Sequence, residues 1–77
     1  MQTTIMIFGQ LTDIIGRNKL VVNNVRDTNS LLEGLKKDYP ALADSKFLIA
    51  VDKKLVTENT KLNTNSTIVL MPPFSGG

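Results

Sequence analysis

Short apolar runs alternate with polar, turn-forming stretches along this chain, and the runs predict five β-strands. β-branched and apolar residues predict a first strand over Thr3–Phe8 and a second over Lys19–Val25. The continuous apolar run Phe47–Val51 is typical of an inner strand buried on both faces. Leu55–Val56 begins a short fourth strand, and Thr67–Met71 forms the fifth.

A short helical segment is expected between the first two strands. Leu11, Ile14 and Ile15 are spaced so that they share one helical face, and Gly16 follows at the position of a C-cap. The first two strands should therefore pair as a hairpin whose connection contains one or two helical turns.

The main helix is expected between the second and third strands. Ser30 and Glu33 have the spacing of a capping box, and Thr28 is the competing N-cap. Pro40 should stop the helix. The apolar face of this helix consists of Leu31, Leu32 and Leu35.

The order of elements is ββαβββ, which predicts a ubiquitin-like β-grasp fold of the α+β class. In this arrangement one main helix covers one face of a mixed five-stranded sheet, with the first and last strands parallel in the middle. We expect residues 1–77 to form a single domain with a flexible C-terminal tail over residues 72–77. Leu62, alone in a polar segment, should fill the core beneath a loop.

Composition removes several classes of function. The chain has no Cys, no His and no Trp, so it lacks the strongest side-chain nucleophile and the usual general base and metal ligand. Its net charge of +2 comes from interspersed acids and bases, which does not indicate binding to nucleic acid or membrane. Because Cys and His are absent, we also expect no bound cofactor or metal. We expect a cytoplasmic protein, because nothing resembles a signal peptide or a membrane span.

The candidate chemistry lies in the tail that follows the last strand. Two prolines restrict the backbone and cannot extend a sheet ladder, so they should form a stiff stalk. Gly76 and Gly77 have no Cβ, which would let them enter a tunnel too narrow for other residues. We therefore expect the terminal carboxylate to be the working group. The tail residues are Pro72, Pro73, Phe74, Ser75, Gly76 and Gly77.

Three segments of the chain resemble the small subunit of molybdopterin synthase, which is a ThiS-like, ubiquitin-like sulfur carrier. They are Phe8–Gly16, Ala50–Val56 and the C-terminal segment Pro72–Gly77 with its Pro-Pro-x-x-Gly-Gly pattern. The resemblance covers both ends and most of the body of the chain, in the same order.

This resemblance implies a cycle and two partners. An E1-like activating enzyme would use ATP to adenylate Gly77, and sulfur would then replace the adenylate to give a thiocarboxylate. The large subunit of molybdopterin synthase would accept that sulfur to form the dithiolene of molybdopterin, and the catalytic pocket would lie on that subunit. The resemblance also places partner contacts at Phe8, Leu55 and Met71, although position 71 is usually aromatic in this family. Core packing is the competing interpretation of these three residues.

Three other functions remain open from the sequence. A sulfur carrier for thiamine thiazole or a similar product would share this fold and tail. A ubiquitin-like protein modifier would use Gly77 to form isopeptide bonds. A plain β-grasp interaction module would not use the tail at all.

Overall fold

Five strands form one mixed sheet in the part of the chain that the computed structural model describes, residues 2–63 and 65–73. The strands are Gln2–Ile7 (β1), Lys19–Asn23 (β2), Leu48–Val51 (β3), Lys54–Val56 (β4) and Thr67–Met71 (β5). Their spatial order is β2-β1-β5-β3-β4, with β1 and β5 parallel and the other neighbouring pairs antiparallel. The predicted ββαβββ order and β-grasp arrangement are confirmed.

The alternation of side chains gives this sheet one buried face and one open face. Thr3, Ile5 and Ile7 of β1 are buried, as are Ile68 and Leu70 of β5. Since successive side chains of a strand point to opposite faces, the residues between them lie on the open face. The two parallel strands therefore supply the centre of the core and, at the same time, the middle of the open face.

Two α-helices connect the strands. The short helix α1, Leu11–Ile15, buries Leu11 and Ile15 and ends at Gly16 with φ 85°. The Gly16 N–H donates to the carbonyl of Thr12 at 2.7 Å, so the predicted glycine C-cap is confirmed. The main helix α2, Thr28–Asp38, packs its apolar side against the buried face of the sheet.

The N-cap of α2 is Asp27, so the predicted capping box of Ser30 and Glu33 is wrong, and so is the alternative cap at Thr28. Asp27 has extended backbone angles, φ −152° and ψ 172°, and its Oδ1 accepts from the Ser30 backbone N–H at 2.9 Å. The helix thus begins at Thr28, two residues before Ser30, and the Asp27 side chain caps its N-terminus.

A loop distant in sequence reinforces that helix start. The Asn59 side chain donates to Asp27 Oδ2 at 3.2 Å and accepts from the Asn29 backbone N–H at 2.9 Å. The pKa of the Asp27 carboxyl is lowered because hydrogen bonds stabilise its charged form. The largest effect comes from the Ser30 backbone N–H, followed by the Ser30 hydroxyl and Asn59. The same loop inserts Leu62 into the core, as the sequence predicts.

The region after α2 contains an element that the sequence pattern does not reveal. Pro40 ends the helical path as predicted, but it also begins a 3₁₀ helix, Pro40–Asp44. Leu42 from this turn is fully buried. The core residues are Ile5, Ile7, Leu11, Ile15, Leu31, Leu35, Leu42, Ile49, Val51, Leu62, Ile68 and Leu70.

Five predicted strand ends differ from the observed ones. β1 begins at Gln2 rather than Thr3, and β4 begins at Lys54 rather than Leu55. β1 stops at Ile7 rather than Phe8, and β3 begins at Leu48 rather than Phe47. β2 stops at Asn23 rather than Val25, because Asn24 turns the chain with a positive φ of 61°. Among the described residues, no helix is long and apolar enough to cross a membrane.

Candidate functional site

The chain leaves the sheet at the end of β5, where Met71 is followed by Pro72 and Pro73. Pro72 is half-buried and Pro73 is exposed. A Cβ placed on Gly9 would lie 2.5 Å from Cγ of Pro72, so the first proline packs directly against the turn after β1. Pro72 is therefore part of the body, and Pro73 is the first exposed residue of the tail. Because β5 is the middle strand, the point of departure is held by ladders on both sides.

The remaining tail residues, Phe74, Ser75, Gly76 and Gly77, lie outside the described residues. Their expected roles, including the carrier role of Gly77, stay predictions.

An apolar hollow of about 500 Å³ lies beside the departure point. Phe8, Met71, Pro72 and Pro73 line it. The Phe8 backbone N–H donates to the carbonyl of Leu70 at 3.0 Å, so Phe8 lies beside the end of β5. Half of the Phe8 side chain is exposed, and Met71 is half-buried. Two of the predicted partner-contact residues are thus brought together with the base of the tail.

The third predicted contact, Leu55, lies on the same face but on the edge strand β4. Leu55 pairs with Ala50, and Ala50 pairs with Val69, which precedes Met71 by two residues on the same side of β5. Leu55 is 58% exposed. It does not line the hollow, and it extends the apolar face away from the tail. That these three residues bind a partner stays a prediction.

Leu48 and Val69 are among the apolar neighbours that escaped the sequence-based prediction. Leu48 pairs with Met71, and Val69 lies between Met71 and Leu55; both are half-buried. Val69 precedes Met71 by two residues, so the period of two along a strand is the sequence signal that could have assigned Val69 to the face of Met71. We call the five residues together the open-face patch: Phe8, Leu48, Leu55, Val69 and Met71.

The open-face patch has little capacity for acid–base chemistry. The chain has no Cys or His. Within residues 2–63 and 65–73, no group of three or more acidic, His or Cys side chains is close enough together to hold a metal ion. Lys54 precedes Leu55 in β4, and Lys19 pairs with Met6 at the other edge of the sheet. Such a surface is suited to docking, because exposed apolar area gains free energy when a partner covers it.

Sequence and structure comparisons give concordant results. A molybdopterin synthase sulfur carrier subunit from Dictyostelium discoideum is 28% identical over 83 residues, which covers 99% of this chain and 96% of the relative. Small archaeal modifier protein 1 from Methanosarcina acetivorans superposes with a TM-score of 0.81 at 21% identity, over 99% of this chain and 96% of that one.

A complex of subunits 1 and 2 of the molybdopterin-converting factor from Helicobacter pylori contains a chain that matches with a TM-score of 0.72 at 24% identity, over the full length of both chains. At these identities the structural matches establish the fold. The molecule is therefore a ubiquitin-like β-grasp protein, as the sequence predicts. The model of the ThiS family matches residues 5–77, and the chain belongs to that family.

Proposed function

We propose that this chain is the sulfur carrier subunit of a molybdopterin synthase. The observation that carries the proposal is the position of the tail. It leaves the central strand β5 beside the exposed apolar side chain of Phe8, so that one docking event can cover the open-face patch and direct the tail into a partner. The likeness to the Dictyostelium discoideum carrier subunit over 99% of the chain supports the same assignment.

The chemistry is assigned to the carboxylate of Gly77. That carboxylate attacks the α-phosphate of ATP on an E1-like activating enzyme, which forms an acyl adenylate and releases pyrophosphate. A sulfur donor then displaces AMP, and Gly77 becomes a thiocarboxylate. The donor must be another protein or a small molecule, because this chain has no Cys. A glycine carbonyl is the least crowded acceptor for the incoming sulfur.

The large subunit would supply the catalytic pocket. There the thiocarboxylate sulfur attacks a carbon of cyclic pyranopterin monophosphate and displaces an oxygen substituent, which leaves with a proton. Water then hydrolyses the resulting thioester, which breaks the carbon–sulfur bond to Gly77 and restores its carboxylate. Repetition with a second carrier completes the dithiolene of molybdopterin. This chain then acts as a donor rather than an independent enzyme, with no bound cofactor, and ATP is consumed by the activating enzyme. Cytoplasmic localisation belongs to the same proposal.

The proposal is tested by intact-mass measurement of the purified chain after incubation with the activating enzyme, ATP and a sulfur source. The expected result is a mass increase equal to the exchange of one oxygen for sulfur, located on Gly77 by fragmentation. The control omits ATP and should leave the mass unchanged. An unmodified chain under conditions that activate a known carrier would contradict the proposal.

A protein modifier is the second candidate, because the solved structures with this fold include small archaeal modifier proteins. A modifier would join Gly77 to lysine side chains, so discrete conjugates of higher mass would appear in the same incubation when cell extract is added. A carrier for thiamine thiazole would become thiocarboxylated but would not bind the large subunit of molybdopterin synthase. Titration of that subunit distinguishes the two sulfur carriers.

A further inference from the structure

Gly9, in the turn after β1, has an unusually close neighbour. Its φ is +62°, a backbone conformation that L residues with side chains rarely adopt. A Cβ at this position would lie 2.5 Å from Cγ and 2.9 Å from Cδ of Pro72. Both distances are shorter than van der Waals contact, so any side chain at position 9 requires a displacement.

Gly9 itself is poorly able to move. Immediately before it, the Phe8 N–H donates to the Leu70 carbonyl at 3.0 Å. The carbonyl of Gly9 accepts two hydrogen bonds from Thr12, one from the backbone N–H at 3.1 Å and one from Oγ1 at 2.8 Å. The turn is thus fixed to β5 on one side and to α1 on the other.

Pro72 cannot yield as a flexible side chain would. Its Cδ is bonded to its own backbone nitrogen, so the ring moves only with the chain. The preceding residue, Met71, is held in the β3–β5 ladder opposite Leu48. A displacement of the Pro72 ring must therefore rotate or shift the backbone at the point where the tail leaves the sheet.

We propose that Gly9 is a positioning residue for sulfur transfer. The Pro72 ring occupies the space that a Cβ of residue 9 would need, and this seat sets the direction of the backbone from Pro72 to Pro73. The inference rests on the proposed function, in which the tail must enter the partner while the open-face patch is docked. A side chain at position 9 would misdirect the tail, although it replaces none of the five patch residues.

The test is a double-mutant cycle between Gly9→Ala and Pro72→Ala, with Gly16→Ala as the matched control. Gly16 also has a positive φ, +85°, but a Cβ there meets nothing within 4 Å. The Gly16→Ala variant therefore measures the effect of backbone strain alone, and its melting temperature should fall by roughly 4–8 °C. In the Pro72→Ala background the clashing Cγ and Cδ are gone, and Cβ of residue 72 lies at an ordinary contact distance of 3.9 Å.

The readout is the single-turnover rate of sulfur transfer from the thiocarboxylated variants to the large subunit, at saturating subunit and at a temperature where circular dichroism shows every variant folded. Gly9→Ala should reduce the rate by roughly 10- to 100-fold when Pro72 is present, since small misplacements of a reacting group have effects of that size. In the Pro72→Ala background the same change should alter the rate by less than about threefold. Gly16→Ala should leave the rate unchanged.

Two results would overturn the positioning role alone: a folded Gly9→Ala variant with the wild-type rate, or an equal loss of rate in both backgrounds. If Gly9→Ala does not fold, Pro72→Ala is compared with Pro73→Ala. A larger loss of rate at position 72 supports the seat, and equal losses overturn it. A wild-type chain that becomes thiocarboxylated but transfers no sulfur to the large subunit would overturn the proposed function, and the positioning role with it.

Discussion

The backbone N–H of Phe8 donates a hydrogen bond to the carbonyl of Leu70 at 3.0 Å, which ties the end of β1 to the end of β5. Phe8, which carries an exposed aromatic ring, directly follows β1, and the tail follows the parallel neighbour β5. Both strands are buried on their other face and lie in the middle of the sheet. The distance from the Phe8 ring to the base of the tail is therefore set by the ends of the two central strands.

Replacing Phe8 with Asp should weaken binding to the large subunit at least about tenfold, because a charge would replace the aromatic side chain that we place at the centre of the proposed interface. The melting temperature should change little, since half of the side chain is already exposed. Isothermal titration and thermal melting check the two statements.

Val21→Asp is the matched control for that variant. Val21 is 52% exposed, close to the 50% of Phe8, and lies on the open face. It pairs with Thr4, toward the end of the sheet opposite the tail. Equal losses of affinity from the two substitutions would mean that the interface does not centre on the tail.

Pro73→Ala tests the stiffness of the stalk without disturbing the body. Pro73 is exposed, so the melting temperature should stay within error of the wild type. Loosening the free tail should weaken docking by about 0.4–1 kcal/mol, which is roughly a two- to fivefold loss of affinity. An unchanged affinity would remove Pro73 from the docking mechanism.

Lys53→Gly should stabilise the fold. Asp52 and Lys53 form the two-residue turn between the paired residues Val51 and Lys54, with φ values of 51° and 73°. Hairpin turns with two positive φ angles favour Asp-Gly, and a left-handed residue other than glycine costs about 1–2 kcal/mol. The melting temperature should rise by roughly 4–8 °C or more. Lys53→Ala removes the same side-chain charge without relieving the backbone, and an equal rise in that variant would contradict the explanation.

Asp27 should make the stability dependent on pH. Its pKa is lower in the folded chain than in the unfolded chain, because the Ser30 N–H and Asn59 bind the charged carboxylate. The stabilising contribution is therefore present above the unfolded pKa of about 3.9 and is lost as the pH falls through the lower folded value. Asp27→Ala should be less stable than the wild type at pH 7, and denaturant titrations should show this difference shrinking in acid. A difference that stays constant with pH would contradict the assignment.

The sequence predicts the architecture because apolar periodicity reports burial directly. The bounds of β5, the parallel pairing of β1 with β5 and the core role of Leu62 all follow from which residues must leave water. The C-cap at Gly16 is predictable for a similar local reason, since glycine readily adopts the required positive φ.

What the sequence does not reveal depends on contacts between distant segments. Ser30 and Glu33 have capping-box spacing, but Asp27 prevails because Asn59, 32 residues away, fixes its carboxylate. The packing of Pro72 on Gly9 likewise joins two ends of the chain, and no local pattern encodes it. The open-face patch is only partly predictable, because Leu48 joins it through its register with Met71.

The most direct test of the carrier role is molybdopterin formation with the purified large subunit, comparing the thiocarboxylated wild-type chain with a chain that carries one additional alanine after Gly77. Both proteins should melt at the same temperature, because Gly77 lies beyond the strands that form the core. The carrier account predicts molybdopterin from the wild type and none from the extended chain, whose Gly77 has no free carboxylate to activate. Full molybdopterin formation by the extended chain would contradict it.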